Sequence, residues 1–258
     1  LMRVSSMIRG DQIADRIGAR FNPELVEISE KDVCIYVKPY VSKGNDFEFH
    51  GKAYLDIVDG HNLGQLALKH KDVGVIVCSR ADFDTMSSVI PNKIVFIPQH
   101  NCNYNRERRE RKDIKTVGVI GTRDAFPMLP IELKEELEKR GMELLEYSKF
   151  FTREDIINFY KQIDIQMVWR PYKKLLSNPL KIVNAMSFGI PTIALDEKAF
   201  KEVEGCYIPV DTFKEFLEAL DGLKTHPSIY NNIARTCIER SEFYHVDNVG
   251  KMYKELEK

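Results

Sequence analysis

The chain of 258 residues is long enough for one large domain or two small ones. With 43% hydrophobic and 30% charged residues, its composition excludes the disordered, collagen-like and membrane-spanning classes. Its 38 basic and 39 acidic residues give a net charge of −1, which disfavours a generally basic nucleic-acid-binding protein. The five cysteines are widely spaced and no apolar run has signal-peptide length, so we expect reduced thiols and a cytoplasmic location.

Short apolar runs alternate with helical patterns through the first half of the chain. Near-continuous apolar runs are typical of parallel strands that are covered on both faces. Asp11 is the expected N-terminal cap of the first helix. The alternation predicts a parallel α/β sheet, with strands at 33–37, 54–58, 73–78 and 93–97 and helices at 10–20, 62–70 and 82–90.

A polar segment then interrupts this pattern. Residues 106–112 are seven consecutive charged residues with no apolar periodicity, which is typical of a solvated linker. A basic arm that binds an acidic partner is the alternative, and the glutamates within the segment disfavour it. We therefore predict a first domain over 1–105, a linker over 106–113 and a second domain over 114–244.

The strand and helix alternation restarts after the linker. Ligands of open parallel sheets bind beyond the carboxyl ends of the strands, so the loops that follow these strands are the expected position of a site. We predict strands at 116–121, 142–147, 163–169, 191–195 and 206–210, and helices at 130–140, 153–162, 179–188, 211–223, 227–241 and 246–257.

The helix predicted at 179–188 carries a cation in its first turn. Ser177 or Asn178 can cap its free amides, and Gly189 is expected to end it in a left-handed turn. Lys181 faces the positive end of the helix dipole, which costs about 0.3–1 kcal/mol unless an anion is bound. The sequence favours a diphosphate site over a tolerated surface lysine, because further positive charge lies just upstream at Arg170, Lys173 and Lys174.

A glycine turn follows the first strand of the second half. Gly121 allows a ligand to approach the backbone closely. Arg123 either clamps a phosphate or pairs with the neighbouring Asp124 in a solvated turn. The GxGxxG fingerprint is absent, so a nicotinamide cofactor is disfavoured. The aromatic residues after the next strand either belong to the core or stack on a nucleobase: Tyr147, Phe150 and Phe151.

Candidates for acid–base chemistry follow a strand in the first half. Asp59 and His61 lie just beyond the run 54–58, where either side chain can orient a hydroxyl group or accept its proton. The alternative is an Asp-Gly turn in which His61 only caps the following helix. No histidine pair has metal-binding spacing, and the Asp-Phe-Asp sequence at 82–84 is expected to begin a helix, so we expect a metal-independent site without a cofactor.

The stretch SNPLKIVNAMSFGIPTIALDEKAFKEV resembles the donor-binding segment of retaining GT-B glycosyltransferases, which reads roughly K-(I/L)-x-E-A-M-A-x-G-x-P. The match covers Lys181 to Ala194 and extends loosely to Glu202. The resemblance implies two Rossmann-like domains with parallel sheets facing a cleft. A nucleotide diphosphate sugar would bind to the second domain and the acceptor mainly to the first, and the final helix, over 245–258, would cross back to the first domain.

The resemblance also implies roles for individual residues. Arg123 and Lys181 would contact the diphosphate, and Gly121 and Thr122 would approach it through backbone amides. Asn184 stands where the family has a glutamate, and it can still form a hydrogen bond with a hydroxyl group of the donor. The partner glutamate of the family falls on Leu176. The first loop of the acceptor domain, with Arg9 and Gly10, would face the cleft, unless it is an ordinary turn.

These observations favour a metal-independent glycosyltransferase that moves a sugar to a hydroxyl acceptor, with Asp59 or His61 oriented toward that hydroxyl. The acceptor class stays open between carbohydrates, lipids and other hydroxyl compounds, as do peripheral membrane association and oligomeric state. The alternative is a non-catalytic GT-B-like protein that binds a nucleotide or a partner protein, which the two replaced glutamates favour.

Overall fold

The computed structural model describes residues 4–41, 47–60, 62–109, 113–172 and 174–258. The chain forms two compact units. Unit 1 consists of Leu1–His100, Lys174–Asn178 and Val246–Lys258, and unit 2 consists of Asn101–Lys173 and Pro179–His245. Within the described ranges, no helix has the length and apolar character needed to cross a membrane.

Unit 1 is built on a four-stranded sheet in which every neighbouring pair is parallel. The strands lie side by side in chain order: β1 (Val33–Val37), β2 (Lys52–Val58), β3 (Gly74–Val77) and β4 (Ile94–Phe96). Its helices are α1 (Val4–Ser6), α2 (Gln12–Ile17), α3 (Leu63–Lys69), α4 (Arg80–Val89) and α10 (Val246–Lys254). The apolar side chains of β2 and β3 pack with those of α3 and α4 in one core, as the continuous apolar runs predict.

The first helical region differs from the prediction. Helix α1 continues through a π-helix at Met7–Asp11 into α2, so the helical stretch begins before the predicted residue 10. Asp11 therefore has helical backbone angles and makes no capping hydrogen bond with its side chain. Gly18 ends α2 in the left-handed conformation, with φ of 73°.

A buried ion pair joins three elements of unit 1. The Nε of Arg9 donates to the Oδ2 of Asp56 in β2 at 2.5 Å, and both side chains are almost fully buried. The remaining guanidinium nitrogens of Arg9 donate to the carbonyl oxygens of Ile97 and Pro98, each at 3.0 Å. The hydroxyl of Tyr253 in α10 also donates to Asp56, at 3.1 Å. These contacts link the N-terminal helical stretch and the last helix to the sheet.

Unit 2 contains a five-stranded parallel sheet in the order β6-β5-β7-β8-β9. The strands are β5 (Thr116–Ile120), β6 (Glu143–Tyr147), β7 (Ile165–Val168), β8 (Thr192–Leu195) and β9 (Tyr207–Val210). The helices are α5 (Leu133–Lys139), α6 (Arg153–Gln162), α7 (Leu180–Ser187), α8 (Phe213–Thr225) and α9 (Pro227–Ser241). The expected α/β class with two parallel sheets is confirmed.

Charged side chains of the segment 106–113 make contacts within unit 2, to which the segment belongs. Arg106 is exposed and forms a bidentate ion pair with Glu242, at 2.9 and 2.7 Å. Glu107 forms an ion pair with Lys161, and Arg109 donates to the carbonyl oxygen of Ile163 at 2.7 Å. These contacts of the described residues are inconsistent with a free basic arm.

Candidate functional site

The order of strands in unit 2 places a ligand site at the end of β5. Strand β5 lies between β6 and β7, so the connections to its two neighbours run to opposite sides of β5. In open α/β sheets, such a switch point leaves a crevice at the carboxyl ends of the strands, where ligands bind. Gly121 is the first residue after β5, and its amide donates to the carbonyl oxygen of Tyr147 in β6 at 3.1 Å.

Lys181 and Gly121 come together at this switch point. A β-carbon at Gly121 would lie 3.5 Å from the Nζ of Lys181 and 3.3 Å from the β-carbon of Ala125. The absence of a side chain at residue 121 therefore leaves space directly beside the ammonium. Thr122 and Arg123 follow at the start of a 3₁₀ helix, Arg123–Met128, and both are exposed. The structure thus brings together the four residues expected near the diphosphate.

Lys181 lies at the start of helix α7, and the rest of this helix after Lys181 is buried. Residues 182–187 are buried, whereas Lys181 in the first turn is exposed. The hydroxyl of Tyr160 donates to the carbonyl oxygen of Lys181 at 3.1 Å, and the Tyr160 ring stacks on Phe188. Gly189 follows with φ of 69°, which confirms the left-handed turn predicted at the end of this helix. The backbone position of Lys181 is therefore held by the packing of α7.

Pro179 occupies the N-cap position of α7, and its side chain makes no capping hydrogen bond. Ser177 and Asn178 belong to unit 1, where the amide of Ser177 donates to Asp82 at 3.3 Å. Leu176, at the position of a family glutamate, is only 3% exposed and packs in the core of unit 1. The capping role of Ser177 or Asn178 stays a prediction.

Two of the expected donor-binding residues are engaged in internal contacts. Arg170 forms a short ion pair with Glu197, and their side chains are only 21% and 11% exposed. The carbonyl oxygen of the Asn184 side chain accepts the backbone amide of Cys102 at 2.8 Å, and Asn184 is buried. Both side chains are therefore held by contacts within unit 2. Glu197 lies two residues after the end of β8 and 27 residues from Arg170, so nothing in the sequence near Arg170 indicates this partner.

The aromatic residues after β6 divide between the two expected positions. Tyr147 stacks on Phe159, at 5.4 Å between ring centroids, and Phe150 packs against the same apolar cluster. Phe151 is 71% exposed. Of the three, Phe151 is available to a planar ligand, whereas Tyr147 and Phe150 contribute to the core.

Asp59 lies between two lysines at the carboxyl ends of strands in unit 1. Lys38 donates to its carboxylate at 2.6 Å, and Lys174 lies 3.5 Å from it. Burial raises the pKa of Asp59, but the hydrogen bond from Lys38 and the two positive charges outweigh that effect and leave its pKa lowered. Lys38 and Val58 both have positive φ, 44° and 52°, which is unusual for a β-branched residue such as valine. The other catalytic candidate, His61, and the upstream Lys173 lie outside the described residues.

The two residues expected on the acceptor side are packed inside unit 1. Arg9 is 2% exposed, and its guanidinium donates to Asp56 and to two carbonyl oxygens, so it does not face a cleft as expected. Gly10 lies in the π-helix, where a β-carbon would come within 2.8 Å of the Phe21 ring. The sequence did not reveal this because Asp56 is 47 residues away from Arg9.

Several solved structures share this fold at low sequence identity. A TarM variant from S. aureus, in complex with fondaparinux, α-GlcNAc-glycerol and UDP, matches with a TM-score of 0.64 and 13% identity, over 81% of this chain and 51% of that chain. HepE from Anabaena, in complex with UDP and glucose, matches with a TM-score of 0.57 and 13% identity, over 78% of this chain and 70% of that one. The chain has the fold of GT-B-type glycosyltransferases.

The GT-B likeness also extends to proteins from multi-protein assemblies. The Glycosylation Associate Protein complex from Streptococcus agalactiae matches with a TM-score of 0.60 and 13% identity, over 89% of this chain and 55% of that chain. The present chain thus spans only about half the length of TarM and of this protein. No family model matches the sequence, and no curated protein matches it either. In the parts of the chain that are described, no group of three His, Cys, Asp or Glu residues is arranged to hold a metal ion.

Proposed function

We propose that unit 2 binds the diphosphate of a nucleotide sugar at the end of β5, and that the chain transfers the sugar to a hydroxyl acceptor. The observation that carries this proposal is the position of the Lys181 ammonium directly beside the Gly121 turn, at the switch point of the sheet. Gly121 provides the space, and Lys181 provides a positive charge at that space.

Charge stabilisation by this site follows from simple electrostatics. The first amides of α7 and the positive end of its dipole attract an anion, and the ammonium of Lys181 strengthens that attraction. Arg123 lies two residues after Gly121, is exposed and makes no ion pair with another described residue. During sugar transfer, negative charge develops on the departing nucleoside diphosphate, and fixed cations at this position lower the energy of that state.

The GT-B neighbours support a nucleotide ligand. TarM was solved with UDP, and HepE was solved with UDP and with UDP-glucose. UDP is therefore the first compound to test. The exposed ring of Phe151 follows β6, the strand adjacent to β5, and we propose it as a surface for the base.

We propose Asp59 as the residue that orients the acceptor hydroxyl. Its lowered pKa keeps the carboxylate ionised at neutral pH, so it accepts a hydrogen bond well but is a weak proton acceptor. The acceptor itself is proposed only as a carbohydrate, lipid or other hydroxyl compound.

A second candidate function is nucleotide binding without catalysis. It is favoured by the two positions at which retaining GT-B enzymes carry glutamates. Leu176 packs in the core of unit 1, and Asn184 is buried against the backbone of Cys102. Leu176 has no polar group to offer a donor sugar, and the side-chain oxygen of Asn184 is already bonded to the Cys102 amide. The GT-B neighbours also include proteins solved in complexes with other proteins, such as the GtfA/B complex.

The proposal is tested by calorimetric titration of the full chain with UDP. The Lys181→Ala variant is expected to bind UDP about tenfold more weakly, a loss of about 1.4 kcal/mol. Lys214→Ala is the matched control, because Lys214 is an exposed lysine on α8 in the same unit. Equal UDP affinity in the Lys181→Ala and Lys214→Ala variants would falsify the diphosphate assignment.

A second measurement separates transfer from binding alone. The full chain is incubated with UDP-glucose and a set of carbohydrate and lipid acceptors, and release of UDP is followed. Release that requires both an acceptor and Lys181 supports sugar transfer. Tight UDP binding with no release from UDP-glucose or other nucleotide sugars supports the non-catalytic function.

A further inference from the structure

Unit 2 has an open groove beside the edge strand of its sheet. The groove has a volume of about 750 Å³ and lies between the segment 126–131, helix α5 and strand β6. Its lining is partly apolar and includes Ile131, which is 96% exposed. A single exposed apolar side chain is common on protein surfaces, and this groove is distinguished by the unpaired strand edge and the charges along it.

Strand β6 offers unpaired backbone groups along this groove. It is an edge strand, and it pairs with β5 on one side. The amide of Glu143 and the carbonyl oxygen of Tyr147 are directed toward β5, where they bond Lys115 and Gly121 at 2.8 and 3.1 Å. Because backbone direction alternates along a strand, the amides and carbonyls of residues 144 and 146 face the outer edge. No other described strand pairs with that edge.

The charges around the groove are mainly negative. Glu138, Glu143 and Glu146 line it and are exposed, and their carboxylates form no ion pair with described residues. Lys134 is the basic residue in the lining. These carboxylates disfavour a second copy of this chain at the groove, because a symmetric pairing of two β6 edges would bring like charges together.

We infer that this groove, the β6 edge groove, binds an extended segment of a partner protein that carries both basic and apolar residues. The segment adds a strand to β6 through the outward amides and carbonyls of residues 144 and 146. Side chains of a strand point alternately to its two faces, so Glu143 and Glu146 meet lysine or arginine residues on opposite faces of the segment, while an apolar residue packs beside Ile131. Neither Gly121 nor Lys181 of the proposed diphosphate site is among the residues that line the groove.

The test uses two fluorescent peptides with the full chain. One alternates lysine and valine over seven residues, and the other has glutamate in place of each lysine. The lysine peptide is expected to bind about tenfold or more tightly than the glutamate peptide, because its charge complements the groove. In hydrogen exchange, the amides of Leu144 and Glu146 are expected to become protected when the lysine peptide is bound.

Variants localise the binding. The double variant Glu143→Lys and Glu146→Lys is expected to bind the lysine peptide about tenfold more weakly. Its control, Glu218→Lys with Glu239→Lys, reverses two exposed charges elsewhere in unit 2 and is expected to retain binding. Ile131→Ser tests the apolar contact with little risk to folding, because that side chain is almost fully exposed.

The outcomes decide the inference in either direction. Preferential binding of the lysine peptide, loss in the β6 variant and in Ile131→Ser, and protection at Leu144 and Glu146 support it. Absence of lysine-peptide binding, equal loss in the control variant, or protection confined to other elements overturns it.

Discussion

The carboxyl ends of the strands carry positive charge in both units, but in different surroundings. In unit 1, Lys38 and Lys174 both form ion pairs with Asp59, whose carboxylate offsets one of the two positive charges. In unit 2, Lys181 and Arg123 are exposed next to a turn that has no side chain. We propose that the space beside the Gly121 turn, and not positive charge alone, distinguishes the unit 2 site.

The largest effect is expected at Arg9, which forms a buried ion pair with Asp56 inside unit 1. Arg9→Met is expected to lower the free energy of unfolding by about 3–5 kcal/mol, because Asp56 would be left as an uncompensated buried charge. The measurement is urea denaturation followed by circular dichroism. Arg20→Met is the control, since Arg20 pairs with Asp32 at the surface and is expected to cost less than about 1 kcal/mol. Similar losses for both variants would show that the buried pair does not stabilise unit 1.

In unit 2, Asn184 tests whether a buried polar side chain of α7 stabilises the fold or binds the donor. Asn184→Leu is expected to destabilise the chain by about 1–3 kcal/mol, because the amide of Cys102 would lose its acceptor in a buried position. UDP affinity is expected to stay unchanged in calorimetry. Asn232→Leu, on the exposed side of α9, is the control for stability. A tenfold fall in UDP affinity with normal stability would instead assign Asn184 to the donor site.

Gly121 tests whether the open space in unit 2 matters. Gly121→Val is expected to weaken UDP binding about tenfold, because the branched side chain would fill the space beside the Lys181 ammonium. The backbone of Gly121 is outside the left-handed region, so the variant is expected to fold. Gly222→Val is the control, since a β-carbon at Gly222 has no neighbour within 4 Å. Unchanged UDP affinity in Gly121→Val would remove the distinction between the two strand-end sites.

The smallest effect is expected at Asp59. Lys38→Met should raise the pKa of Asp59, because burial remains while the main hydrogen bond and one positive charge are lost. The lowered pKa of the original carboxylate stabilises the fold above the ordinary carboxyl pKa, and this contribution is lost as pH falls through the folded-state pKa. The stability of the variant should therefore differ most from the original near neutral pH. Carbon-13 NMR titration of Asp59 measures the shift, and Lys31→Met, a change at an exposed lysine, should leave it unmoved.

The sequence was sufficient to predict most regular elements. Buried parallel strands are continuous apolar runs, and β1 at Val33–Val37 and α6 at Arg153–Gln162 have the predicted bounds. The π-helix at Met7–Asp11 and the 3₁₀ helix at Arg123–Met128 were not predicted. Such short elements have no periodicity of their own, and tertiary contacts decide their geometry.

The candidate site was only partly predictable. Lys181 was recognised because a cation in the first turn of a helix is locally unfavourable, and that signal lies within a few residues. The contacts of Arg9, Asn184 and Arg170 depend on partners 47, 82 and 27 residues away, and nothing in the local sequence indicates them. The contacts that the sequence did not predict therefore mostly involve residues whose partners are distant in the chain.

The assignment of residues 174–178 to unit 1 has a consequence for dissecting the protein. By the bounds given above, the chain passes from one unit to the other four times: after residues 100, 173, 178 and 245. Neither unit is a single contiguous piece of polypeptide. A fragment covering 101–245 would lack strands β1–β4 and the core in which Leu176 packs. The Leu176 side chain would then be exposed to water. Truncation at the apparent boundary thus removes the unit 1 core that buries the segment immediately before α7.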